Sequence, residues 1–152
     1  MLTVENPAEL KNYVGQTLGT SEWFTIDQTM IDDFARATGD MNWIHVDVER
    51  AKREMPGGKT IAHGYLTLSL IPRLSQAVLR IQQRAKGLNY GANRVRFPAP
   101  VPVGSRVRLI ETLKEAQETD AGLRLNFDCV IEIEGQKRPA MVAETIVLLT
   151  ND

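Results

Sequence analysis

Alternation is the clearest signal along this chain. Leu123, Leu125, Phe127, Cys129, Ile131 and Ile133 alternate with Arg124, Asn126, Asp128, Glu132 and Glu134, and only Val130 breaks the pattern. Period two sustained over about a dozen residues predicts one long strand with one buried face. Residues 90–97, closed by Pro98-Ala99-Pro100-Val101-Pro102, read as a further strand, as do residues 106–113. A more apolar run at 141–149 follows a turn at Gly135-Gln136 and is the last strand, while Trp23 to Ile26 is a short β-prone run upstream.

The first half of the chain carries helical spacing instead. Residues 7–15 form a short helix by this reading, with Pro7 in its first turn and Gly15 past its end. Asp27 caps a helix whose Met30, Ile31, Phe34 and Ala37 share a face, and Gly39 stops it in a left-handed conformation. Asp47 caps another through Val48, Ala51 and Lys52, which Pro56-Gly57-Gly58 must end. The longest helix is expected from near Ala62 to about Arg84. Its first part, Ile61 to Ile71, is apolar nearly all round, which argues for burial on every side. Its second part puts Leu74, Val78 and Ile81 on one face and Arg73, Gln76, Arg80 and Arg84 elsewhere. Pro72 cannot donate to residue 68, so a kink or break is expected there. One very apolar helix ahead of long antiparallel strands gives an α+β arrangement, a curved antiparallel sheet wrapped around a long central helix. Sheet edges of this kind need a cover, and a two-fold homodimer is the expected one.

Composition narrows the class. The 152 residues suit one domain, 1–152, and 43% hydrophobic with 24% charged residues is ordinary for a globular protein. A net charge of −1 without a basic run speaks against nucleic acid as a partner. No apolar run approaches the roughly 20 residues that span a bilayer, so no membrane partner is expected. Met1 to Pro7 lacks the basic start and apolar core of a signal peptide, and with Cys129 the sole cysteine a reduced, cytoplasmic compartment is the expectation. Two histidines without ligand-like spacing predict no metal site.

Candidate chemistry sits at Thr38-Gly39-Asp40-Met41-Asn42-Trp43-Ile44-His45. Past the Gly39 terminator, a carboxylate, a carboxamide and an imidazole fall within a few positions. On a looped or helical turn, Asp40 and His45 can converge, and such a pair can polarise a water and shuttle its proton near neutral pH.

Phe34 to Asp47, with Gly39-Asp40-Met41-Asn42-Trp43-Ile44-His45 at its centre, resembles the hydratase motif of the MaoC-like family, the (R)-specific 2-enoyl-CoA hydratases and dehydratases of the hotdog fold. Ala62-His63-Gly64-Tyr65-Leu66-Thr67-Leu68 looks like the start of that family's central helix, and Phe97-Pro98-Ala99-Pro100-Val101-Pro102-Val103-Gly104 like its strand-to-strand turn. The matches stand in the family's order over nearly the whole chain. Trp43 replaces the proline of many members, and Trp-Ile-His here resembles the nodulation-protein-N-like branch. The resemblance implies hydration of a trans-2-enoyl-CoA to a (3R)-hydroxyacyl-CoA, or the reverse, with the CoA thioester as substrate and no cofactor. It implies that Asp40 takes a proton from a water that His45 holds and polarises, and that the Gly64 N–H receives the thioester oxyanion. Asn42 would fix the Asp–His geometry.

The implied substrate-binding positions are Asn42, Thr60, Ile61, Ala62, His63, Tyr90, Gly91, Asn93 and Arg94. His63 rivals His45 as a base, but the motif puts chemistry on His45, so His63 is expected to fix the start of the helix or line the pocket. A pantetheine arm would run along Tyr90 to Arg96, and Arg94, Arg96, Arg106 and Arg108 are candidates for the CoA phosphates, each equally readable as a solvated strand position. Ser69 reads as a hydroxyl bonded to the carbonyl four residues back, and Pro72 stands where short-chain hydratases are expected to have a polar residue. Two other functions compete: a hotdog acyl-CoA thioesterase, which would not be expected to carry this Asp–Asn–His arrangement, and a non-catalytic acyl-thioester-binding subunit, which would be expected to have lost Asp40 or His45.

Overall fold

The alternating stretch forms the middle of a sheet, and the elements ahead of it cover one face. The computed structural model describes residues 1–83 and 86–150. In chain order they form β1 (Leu2–Val4), a 3-10 helix (Pro7–Tyr13), β2 (Thr17–Thr20), β3 (Phe24–Thr25), α1 (Gln28–Thr38), α2 (Trp43–Val46) and α3 (Val48–Glu54). A 3-10 turn (Pro56–Gly58) leads to α4 (Gly64–Ser69), α5 (Ile71–Ser75) and β4 (Leu79–Ile81). Four long strands follow: β5 (Lys86–Arg96), β6 (Arg106–Thr119), β7 (Gly122–Ile133) and β8 (Met141–Thr150).

The main sheet is antiparallel in the order β2-β6-β7-β8-β5, with β3 also paired to β6. Bulges interrupt the β6–β7 register near Lys114 and the β5–β8 register near Tyr90 and Asn93, and such irregularities bend strands. Leu123, Leu125, Phe127, Cys129, Ile131 and Ile133 are all buried, as period two requires. Asn126 departs from it: its side chain is also buried, and its amide donates to Glu144 Oε1 at 3.2 Å. β5 forms an edge whose residues are exposed except the half-buried Val95.

The long central helix is corrected. Helix begins at Gly64 rather than Ala62 and divides into α4 and α5 at Leu70. Pro72 falls in the first turn of α5, where no backbone donor is needed. Leu66, Leu70, Ile71 and Leu74 are buried, with α4 against β8 and α5 against β6. Beyond Ser75 the helical reading fails. Leu79-Arg80-Ile81 is a strand, paired in parallel with Leu2-Thr3-Val4. Leu74, Val78 and Ile81 fit helical spacing, but Leu79 and Ile81 equally fit alternation, and the N-terminal strand decides between them. The predicted end of the helix at Arg84 lies outside the described residues. No helix among those described is long and apolar enough to cross a membrane.

One carboxyl is buried in this core. Glu111 on β6 is 3% exposed and accepts from Ser75 Oγ at 2.8 Å. Burial pushes its pKa up, against the Ser75 bond, and it lies beside the Cys129 thiol, which burial raises to about 12. The native state therefore holds the Glu111 proton more tightly than the unfolded chain does. Below the ordinary carboxylate range both states are protonated; as pH rises the unfolded chain ionises first, and stability falls until the native group also titrates. Glu111→Gln should match wild type near pH 4 and exceed it near pH 8 by on the order of 1 kcal/mol, read as the shift in urea midpoint at each pH. An equal shift at both values would refute this.

Candidate active site

The site is assembled by a run of short caps. α1 ends at Gly39, whose positive φ of 78° lets its N–H reach the Ala35 carbonyl at 2.8 Å. The Asp40 carboxylate accepts from the Asn42 N–H and the Asn42 side chain from the Ile44 N–H, each at 3.4 Å. Asn42 thereby caps α2, and this single turn carries His45 back toward Asp40. Polar residues that cap readily thus make the sharp return that brings the two together.

His45 is 8% exposed, and its Nδ1 donates to the Ile61 carbonyl at 2.7 Å. A carbonyl only accepts, so Nε2 carries the lone pair of the neutral ring. Burial lowers the pKa of His45; the Ile61 bond and Asp40 oppose this, and His63 adds to it. The Ile61 N–H bonds the Ile44 carbonyl at 3.1 Å, joining the two segments a second time. His63, 3% exposed, stacks on His45 with ring centroids 3.8 Å apart and planes 26° apart. A carboxylate oxygen of Asp40 and a ring nitrogen of each histidine lie within 4.8 Å of one another. Two hydrogen bonds of about 2.8 Å to one water span that distance. A cation is served less well, because stacked rings do not aim their in-plane lone pairs at one point about 2 Å from both.

His45 also lines a cavity of about 300 Å³ together with Ile61, Ala62, Gly64, Thr67, Phe97, Ala99, Pro100, Val101 and Ala140. Gly64 opens α4, and its N–H has no acceptor among the described residues. A Cβ at Gly64 would sit 2.9 Å from the Phe97 ring, so glycine is what lets the two approach. A larger cavity, about 510 Å³, lies at the far end of β6 and β7 among Asn6, Glu118 and Gly122 and contains neither histidine.

The other predicted positions divide. Thr60 is buried behind the site; its hydroxyl donates to Gln28 Oε1 at 2.5 Å, while Gln28 Nε2 donates to the His45 carbonyl at 2.8 Å. Gln28 braces His45, and nothing in the spacing of residues 28, 45 and 60 announces it. Thr67 and Phe97 as cavity walls were likewise not legible. Asp40 is exposed and is not among the cavity's lining residues. Tyr90, Gly91, Asn93 and Arg94 lie exposed on β5, also away from that lining, and Asn93 Nδ2 donates to Glu144 at 2.8 Å. Arg106 and Arg108 pair with Glu134 and Glu132 at 3.2 and 2.7 Å. Ser69 Oγ donates to the Tyr65 carbonyl four residues back.

An antiparallel sheet of this hotdog kind is shared with solved (R)-hydratases. The chain belongs to the MaoC-like dehydratase family: the model described as "MaoC like domain" matches residues 9–125. It is 47% identical over 148 residues to 3-hydroxyacyl-thioester dehydratase Z of Mycobacterium tuberculosis, covering 97% of each chain. It is 46% identical over 147 residues to nodulation protein N of Rhizobium leguminosarum bv. viciae, covering 95% of this chain and 91% of that one. The fold matches that of the unliganded R-hydratase PhaJ1 from Pseudomonas aeruginosa, with a TM-score of 0.72 at 22% identity over 91% of this chain and 83% of the other.

Proposed function

We propose that the protein adds water across the double bond of a trans-2-enoyl-CoA to give the (3R)-hydroxyacyl-CoA, or catalyses the reverse dehydration. The observation that carries this is the Asp40 carboxylate within 4.8 Å of histidine nitrogens, next to a cavity lined by His45 and the unpaired Gly64 N–H. The relative named as a 3-hydroxyacyl-thioester dehydratase supports it.

In this reading one water donates hydrogen bonds to Asp40 and to the lone pair on His45 Nε2. Asp40 takes one proton as the oxygen attacks C3, and the Gly64 N–H meets the charge developing on the thioester oxygen. The Asp40 carboxyl then delivers that proton to C2 on the same face, so water adds syn. No cofactor takes part. The acyl chain occupies the cavity lined by Ile61 and Ala62, with Thr60 and Asn42 behind the catalytic pair. The single domain pairs with a second copy across the exposed β5 edge, in the cytoplasm; a solution mass of one chain would overturn the pairing. The pantetheine arm follows Tyr90 to Asn93, so Arg94→Ala should raise KM about 2- to 5-fold at unchanged kcat if Arg94 meets a CoA phosphate as one exposed ion pair.

The test is the loss of enoyl absorbance from crotonyl-CoA and from a longer trans-2-enoyl-CoA, followed by the chirality of the product. A folded protein inert on every chain length but still binding acyl-CoA would make this a binding subunit. Release of free CoA would make it a thioesterase.

A further inference from the structure

His63 is a buried polar group that the proposed reaction does not consume. Its Nε2 lies 3.0 Å from the backbone carbonyl of Asp40, 23 positions earlier in the chain. That carbonyl only accepts, so Nε2 carries the proton, and it has no other donor among the described residues. The ring packs on His45 on one side, and Phe34 lies tilted with its centroid 4.9 Å away. Nδ1 is buried without a partner among the described residues. The two histidines therefore hold opposite tautomers, each set by a backbone carbonyl: Nδ1–H in His45 and Nε2–H in His63.

An unpaired buried ring nitrogen is unfavourable. A phenyl or isobutyl group would fill the same space without that cost. What the imidazole adds is one N–H, directed at the residue that carries the carboxylate. Through that bond it holds the backbone of Asp40, and through the stack it holds the ring of His45.

We propose that His63 is a positioning residue of this active site, setting the separation of the Asp40 carboxylate and the His45 ring by gripping the Asp40 backbone with Nε2–H and the His45 ring by stacking. The proposal rests on the Asp40–His45 reading above. Misplacement of reacting groups by a fraction of their contact distance is costly, so the effect belongs in kcat. His63 touches no substrate in this account.

Two variants separate its parts. His63→Phe keeps a stacking ring and removes the N–H; His63→Gln keeps an N–H donor at similar reach and removes the ring. For crotonyl-CoA hydration, His63→Phe is expected to lower kcat about 10- to 100-fold, with KM within about 3-fold of wild type. His63→Gln is expected to recover part of the kcat that His63→Phe loses. A wild-type kcat in folded His63→Phe, or a raised KM at unchanged kcat, overturns the proposal; the second outcome would make His63 a wall of the substrate pocket. Long-range proton–nitrogen NMR of the wild-type imidazoles gives a readout independent of turnover and of whether the variants fold. It should show Nε2–H for His63 and Nδ1–H for His45. An Nδ1–H tautomer at His63 sinks the proposal even if the chain hydrates crotonyl-CoA. The expected tautomers in a chain inert on all enoyl thioesters would uphold the His63 geometry and sink only the hydratase reading.

Discussion

Asp40→Asn is expected to lower kcat for crotonyl-CoA hydration by at least ~100-fold in a protein that still folds. The fold should survive because the side chain is exposed and its structural duty is to accept from the Asn42 N–H, which an asparagine oxygen also does. The chemistry should not survive, because a carboxamide cannot take a proton from water. General acid–base catalysis contributes about 10²–10⁴-fold, or roughly 3–5 kcal/mol of barrier. The measurement is the initial rate of enoyl absorbance loss at saturating substrate, with circular dichroism confirming the fold. A variant within about 3-fold of wild type would remove Asp40 from the proton transfer, whatever the wild-type activity proves to be.

The second large effect concerns His45. Its Nε2 lone pair is the acceptor that would hold the water, and protonation destroys it. Burial is the largest influence on this ring and lowers its pKa from 6.5. Activity should therefore be level through neutral pH and fall on the acid side, with the limb below 6.5. The sign follows from desolvation: the cation is disfavoured, so the useful neutral form persists to lower pH than in an exposed histidine. His45→Gln should cost about 100-fold in kcat and abolish that limb, since the ring that would hold the water is gone. A wild-type limb above 6.5, or one that persists in His45→Gln, would show that another group governs the profile.

Strong sheet elements were legible from the chain alone, for a local reason. From Leu123 to Ile133 every second side chain must enter one core, so the pattern writes the strand directly. The capped starts and glycine stop near Asp27, Gly39 and Asp47 were legible too, because capping needs residues only two to four positions apart. The resemblance of Phe34–Asp47 added the candidate chemistry, and the fold of the MaoC-like relatives agrees with the α+β sheet it implied. The helix expected to reach Arg84 shows where local pattern runs out. Apolar residues at 74, 78, 79 and 81 satisfy two periods at once, and only pairing with Leu2–Val4 chooses the strand.

The sequence by itself indicated that Asp40 and His45 can meet, on a looped or helical turn past the Gly39 stop. It did not determine how the pair is held. Ile61 orients His45, Gln28 and Thr60 brace it, and His63 joins it to Asp40, all through contacts from 16 to 32 positions apart. Hydrogen bonds of that kind leave no periodicity, because each partner is supplied by a different element, and only folding brings those elements together. The same holds for Phe97 against Gly64, a close approach that exists once the turn after β5 is laid over the start of α4.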